Sequence, residues 1–178
     1  MASLRPVLGL SLLALAAPAA VALADIPQGS PAEAHHQLAQ MHEQHAMDHL
    51  QALYQHATHA SAVDAELARE HIHAAGEHLT AGQRHVDAEE QAMSEEDRAR
   101  AHAQLEQIRA AHQEAAEHQH ELEADSTGAT MDGHAMGEHA AAEYRAMHRA
   151  HDAEVAMGRR VGMHAAVVVP PERAAGRR

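Results

Sequence analysis

The stretch HHQLAQMHEQHAMDHLQALYQHATH, His35 to His59, decides how this chain folds. Within it His35, His42, His49 and His56 recur every seven residues, a spacing that keeps side chains on one slowly drifting stripe of an α-helix. Advancing about 100° per residue, Gln37, Gln40, Gln44, Asp48, Gln51, Gln55 and Thr58 gather on one polar face. The heptad histidines fall opposite, among Leu38, Ala52 and Leu53. Imidazole is costly to bury unless its nitrogens find hydrogen bonds or a metal. The stripe predicts a helix whose inward side carries chemistry.

The pattern continues outward from there. His71, His78 and His85 repeat the heptad between Leu67 and Ala75, opposite Glu66, Arg69, Glu77, Arg84 and Asp87. A third apolar seam reads Ala101, Leu105, Ile108, His112, Ala115, Gln119, Leu122, and a fourth reads Ala141, Tyr144, His148, His151, Val155. Three helix starts share one device, a Ser able to cap free N–H groups with an acid three residues on: Ser30 with Glu33, Ser61 with Asp64, Ser94 with Asp97. Turn formers collect in DSTGATMDG, Asp125 to Gly133. Helices are thus expected at about 31–60, 62–91, 94–124 and 134–157. Short connections and four amphipathic faces predict an all-α, antiparallel up-down four-helix bundle with a histidine-lined interior, occupying residues 25–157.

Composition narrows the function. Twenty His stand in 178 residues with no Cys, Trp or Phe, so thiolate sites, disulfides and large aromatic core residues are excluded. The net charge of -13 leaves no basic face for phosphate, which argues against nucleic acid and for cations as partners. With so few large apolar residues, pairing of two bundles into a homodimer is an expected remedy for a thin core. At the N-terminus, Arg5, the apolar run Val7–Ala17 and Ala22-Leu23-Ala24 form a signal peptide, residues 1–24, with cleavage expected after Ala24 and a periplasmic or secreted destination. Residues 158–178, ending VVVPPERAAGRR, read as a basic, disordered tail.

A tight antiparallel turn near residue 60 brings His35 level with His85, His42 with His78, and His49 with His71. Successive pairs lie about 10.5 Å apart, seven residues at helical rise, which suits a ladder of separate sites. The next turns bring His112 and His148 level with His49 and His71 as a candidate layer. Imidazole suits Zn, Cu and Ni. MHEQHAMDH, Met41 to His49, and MDGHAMGEH, Met131 to His139, interleave thioether sulfur with imidazole, and soft sulfur favours Cu(I). The expected metal ligands are therefore His35, His42, His45, His49, His56, His71, His78, His85, His112, His148 and His151 with Met41 and Met47. Copper, as Cu(I) or Cu(II), is the expected ion, with zinc or nickel as alternatives.

In these two stretches and the export signal the chain resembles the exported Met/His-rich copper-handling proteins of bacteria. That resemblance implies storage, buffering or resistance by binding several ions, without catalysis. It is similar in architecture to copper-storage bundles lined with Cys, whose ligands have no counterpart here. Two other readings remain. One is a helical envelope protein whose histidine seam responds to pH without metal. The other is a ferritin-like di-iron oxidase: Glu-x-x-His occurs at Glu33/His36, Glu70/His73 and Glu117/His120, but the last two point to polar faces and inward acids are expected to be scarce. Isolated His73, His102, His118 and His120 are expected in solvent.

Overall fold

The structure, a computed structural model, describes residues 29–59, 63–127 and 132–163. The signal segment, Ser61 and most of the tail lie outside these residues. Four helices make up nearly all of the rest: α1 Pro31–His59, α2 Ala65–Ala92, α3 Glu95–Ser126 and α4 Gly133–Val161. Helix α1 packs on α2 and α4, and α3 on α2 and α4, closing a four-helix bundle. Cross-helix partners run in opposite chain directions, as in His35 with His85 and His49 with His71, so neighbours are antiparallel.

The helix starts follow the capping chemistry with shifts of a few residues. Ser30 Oγ accepts from the Glu33 N–H at 3.2 Å, and Ser94 Oγ accepts from the Asp97 N–H at 3.1 Å. Helix α2 is capped instead by Asp64, which accepts from Glu66 and Leu67, and α4 by Asp132, which accepts from His134 and Ala135. Helix α4 also runs four residues past Met157, to Val161, and ends at Gly162 in the left-handed region (φ 83°). The expected boundary at 157 therefore falls inside a helix.

Every helix presents one seam that steps alternately four and three residues. On α1 it is Ala32, His36, Ala39, Glu43, Ala46, Leu50, Leu53; on α2 it is Ala68, Ile72, Ala75, Leu79, Gly82, Val86, Glu89. The α3 seam is Ala101, Leu105, Ile108, His112, Ala115, Gln119, Leu122, as the sequence indicates. On α4 it is Met136, Ala140, Glu143, Met147, Ala150, Glu154, Met157. This alternation keeps one stripe facing the partners in left-handed packing. Apolar seam residues form two clusters, one around Leu50, Leu53, Leu79, Leu122 and Met147, the other around Val86, Leu105, Ile108 and Met157. Ionisable side chains occupy the seam positions between and beside them.

Candidate metal centre

The heptad histidines sit one position before the α1 and α2 seam residues, so they flank the buried stripe. His35, His42, His45, His49, His56, His71, His78 and His85 are all half-buried. Leu67, one border of the apolar face expected on α2 with the histidines at its centre, is 39 % exposed. The seam of α1 and α2 is rich in Ala, which leaves the inward direction ambiguous by one residue when read from Leu alone. The register is as the heptads require: Nδ1 to Nδ1 is 3.1 Å for His35 and His85, 3.0 Å for His42 and His78, and 3.1 Å for His49 and His71. Rings of successive pairs also stack, His42 on His85 and His49 on His78, with centroids 5.4 and 5.7 Å apart, and His45 sets its edge on His78. The result is one continuous imidazole ladder along the α1–α2 seam. Facing Nδ1 atoms share a single proton, so a second proton puts two N–H groups head to head. Burial, then the neighbouring imidazoles, push His42 down to about 4. Burial likewise holds His49, His71, His78 and His85 below the ordinary histidine value.

The fully buried ionisable groups lie elsewhere, and they correct the expectation of scarce inward acids: Glu43, Glu89, Glu143 and Glu154 are each 0 % exposed. His36 joins three of the helices. Its Nδ1 lies 3.1 Å from Glu89 Oε1 and 3.1 Å from Glu154 Oε1, the latter aligned as a hydrogen bond, and its Nε2 is 2.9 Å from the Gln40 amide. Gln40, placed on the polar face by the helical count, is thus buried. His36, Glu89 and Glu154 each direct one ligand atom to a common point, all within 4.8 Å of one another. Both oxygens of Glu89 and Oε2 of Glu154 lack hydrogen-bond partners. Gly158 makes room for the imidazole: a Cβ there would sit 2.3 Å from His36 Nε2.

Beside this triad, Glu43 Oε1 is 3.1 Å from His112 Nε2 and Glu43 Oε2 is 3.3 Å from His151 Nδ1. The charge of Glu43 also acts on Glu154, so the two groups form one electrostatic system. Burial pushes the Glu154 carboxyl well up, aided by Glu89 and Glu43 and opposed by the hydrogen bond from His36. Burial pushes His36 down, but the two carboxylates outweigh it and raise it to about 10. Three or more N and O donors in a dry, preformed interior can hold a metal ion.

The other nominated residues divide. His112 is buried and the half-buried His151 reaches inward to Glu43, whereas His148 is turned to solvent beside Asp152, one position off the α4 seam at Met147. The four-histidine layer therefore does not form. His56 Nε2 accepts from the Asp64 N–H at 2.8 Å and secures the α1–α2 connection. Met47 is buried in the apolar cluster with Leu50 and Leu53, and Met41 is half-buried. Sequence reasoning missed Glu43, Glu89 and Glu154, and used His36 only as half of a Glu33 pair. Comparison with protein families, curated proteins and solved structures finds no match, so the centre is read from its own geometry.

Proposed function

We propose that this chain is an exported metal-binding bundle with a buried Glu/His centre for one divalent transition ion and an outer imidazole ladder that takes up further ions. One observation carries the reading: His36, Glu89 and Glu154 converge in a wholly buried place where a single imidazole faces two carboxyl groups and the outer oxygens, Glu89 Oε2 and Glu154 Oε2, have no hydrogen-bond partner. Two buried carboxyl groups share only one imidazole as counter-charge, and a divalent cation bound between them would lower the cost of burying them. The mixed oxygen and nitrogen donors favour Zn(II), Mn(II) or Fe(II) there. In the ladder the donors are imidazole only. Two nitrogens on one tetrahedral ion, with bonds of 2.0–2.1 Å, stand about 3.3 Å apart, so the Nδ1 pairs need to part by only a few tenths of an ångström. Copper is the ion proposed for the ladder, where the half-buried Met41 stands beside His42 and one helical turn before His45 on α1. Storage or buffering is the role that several sites on one small chain serve.

A redox role is the second reading, favoured by Glu43 and its two histidines lying next to the triad. Elemental analysis of protein purified without chelator separates the cases. Zinc or copper supports storage, and two irons or manganese ions per chain support redox chemistry. The Glu89→Gln, Glu154→Gln double variant is expected to lose one tightly held equivalent. Unchanged stoichiometry in that variant would remove the buried centre.

A further inference from the structure

At the end of the bundle near the α3–α4 connection, three side chains outside both sites converge. His118 Nδ1 is 2.9 Å from Glu121 Oε2, and His139 Nδ1, from the facing helix, is 2.7 Å from the same oxygen. The three ligand atoms lie within 4.8 Å of one another. His139 comes from MDGHAMGEH, and His118 was expected in solvent. A second observation concerns the far side of the His139 ring. Its Nε2 is 3.9 Å from Asp125 Oδ2, an atom shielded from solvent and without a hydrogen-bond partner. Metal-bound histidines characteristically donate their other N–H to a carboxylate, which fixes the tautomer and the ring direction. The front of the cluster opens on a cleft of about 590 Å³ lined by Tyr54, His134 and Arg145 among others.

We propose that His118, Glu121 and His139 form a separate site for a borderline divalent cation, Zn(II) or Cu(II), with Asp125 orienting His139. Two imidazoles and one carboxylate supply three ligands, and the cleft leaves the fourth position to water. Glu121 must withdraw by roughly half an ångström to reach the 3.3 Å spacing of a tetrahedral ion. As a half-exposed side chain it is free to do so. A shift of the His139 ring by roughly one ångström toward Asp125 would bring Nε2 into hydrogen-bond reach of Oδ2. Neither the buried centre nor the ladder contributes a residue, so the site stands independently of them.

The test is equilibrium dialysis of the full chain against Zn(II), with bound metal counted by elemental analysis. His118→Gln, His139→Gln and Glu121→Gln are each expected to bind one equivalent fewer than wild type. Asp125→Asn is expected to keep that equivalent at about 10–100-fold lower affinity. Circular dichroism checks that the half-exposed substitutions leave the helices intact, and Glu121→Gln, which preserves size, serves if a histidine variant does not fold. Wild-type stoichiometry in His139→Gln and Glu121→Gln overturns the site, and wild-type affinity in Asp125→Asn overturns the orienting role. His36→Gln is run alongside. Loss of an equivalent there but not at His139 sinks this site alone, and the converse sinks the buried centre alone.

Discussion

Glu143 is wholly buried on α4 and neither of its oxygens has a partner. Burial, helped by the charge of Glu123, pushes it up to about 8, so the side chain is protonated at neutral pH. Its folded value lies above the ordinary carboxylate value of about 4.3. The unfolded chain therefore gives up the proton first as pH rises, and the stability cost grows until it is fully present above about 8. Glu143→Met, which matches the neighbouring Met136 and Met147, is expected to stabilise the protein by about 1–4 kcal/mol, most strongly at pH 9. Urea unfolding at pH 5 and pH 9 measures this, and an equal effect at both would refute the buried-acid account. Gly158 makes the opposite case. Alanine is better than glycine in a helix by about 1 kcal/mol, yet here its Cβ meets the fixed His36 ring. Gly158→Ala is expected to lose about 1–3 kcal/mol to overpacking and to weaken metal binding at the centre. A more stable variant would show that His36 is not seated against that glycine.

Between α1 and α2 the ladder depends on two matched heptads, and the middle pair tests it. In His42→Leu, His78→Leu the shared-proton contact disappears, and at least one equivalent of bound copper is expected to go with it. The same change should reduce sensitivity to acid. His42 has a folded value of about 4 against 6.5 unfolded, so its contribution is present above pH 6.5 and lost as pH falls toward 4. Thermal melts between pH 7 and 4 are expected to fall less steeply in the variant. A flatter melt series with unchanged copper stoichiometry would leave the histidines as a pH-responsive seam only. This element was legible because a seven-residue repeat and one turn position determine register, and the whole α3 seam was legible because Leu and Ile mark its inward face. Glu43, Glu89 and Glu154 were not, since acids count as outward in any hydropathy reading. The signal available was the Ala32, Ala39, Ala46 series on α1, whose four-and-three steps place His36 and Glu43 inside. On α4 the same bias favoured Tyr144 and His148 over Glu143 and Met147, turning the expected face by one residue.

For the molecule as a whole, the two kinds of site should answer differently to pH, because their metal-free protonation differs. At pH 7 His42, His49, His71, His78 and His85 of the ladder, held low mainly by burial, are already in the neutral ligand form. Their affinity should change little above pH 6.5. In the buried centre His36 is raised to about 10, so it carries a proton that an incoming cation must displace, and burial raises the neighbouring Glu154 as well. That displaced proton makes the apparent affinity rise about 10-fold per pH unit near neutrality, until the His36 value is approached. Without metal, the raised His36 contributes stability that is complete below pH 6.5 and is lost as pH rises through about 10. Metal-loaded protein has exchanged that proton for the ion, and its melting temperature should hold up in the alkaline range where the metal-free protein weakens. Titration calorimetry in two buffers of different ionisation enthalpy counts the protons directly. At least one should leave per ion at the centre and fewer per ion elsewhere, the centre's share being the difference between wild type and the Glu89→Gln, Glu154→Gln variant. Equal proton release in wild type and that variant would mean that the carboxylates and His36 take no part in holding the metal, leaving the ladder and the α3–α4 cluster as its ligands.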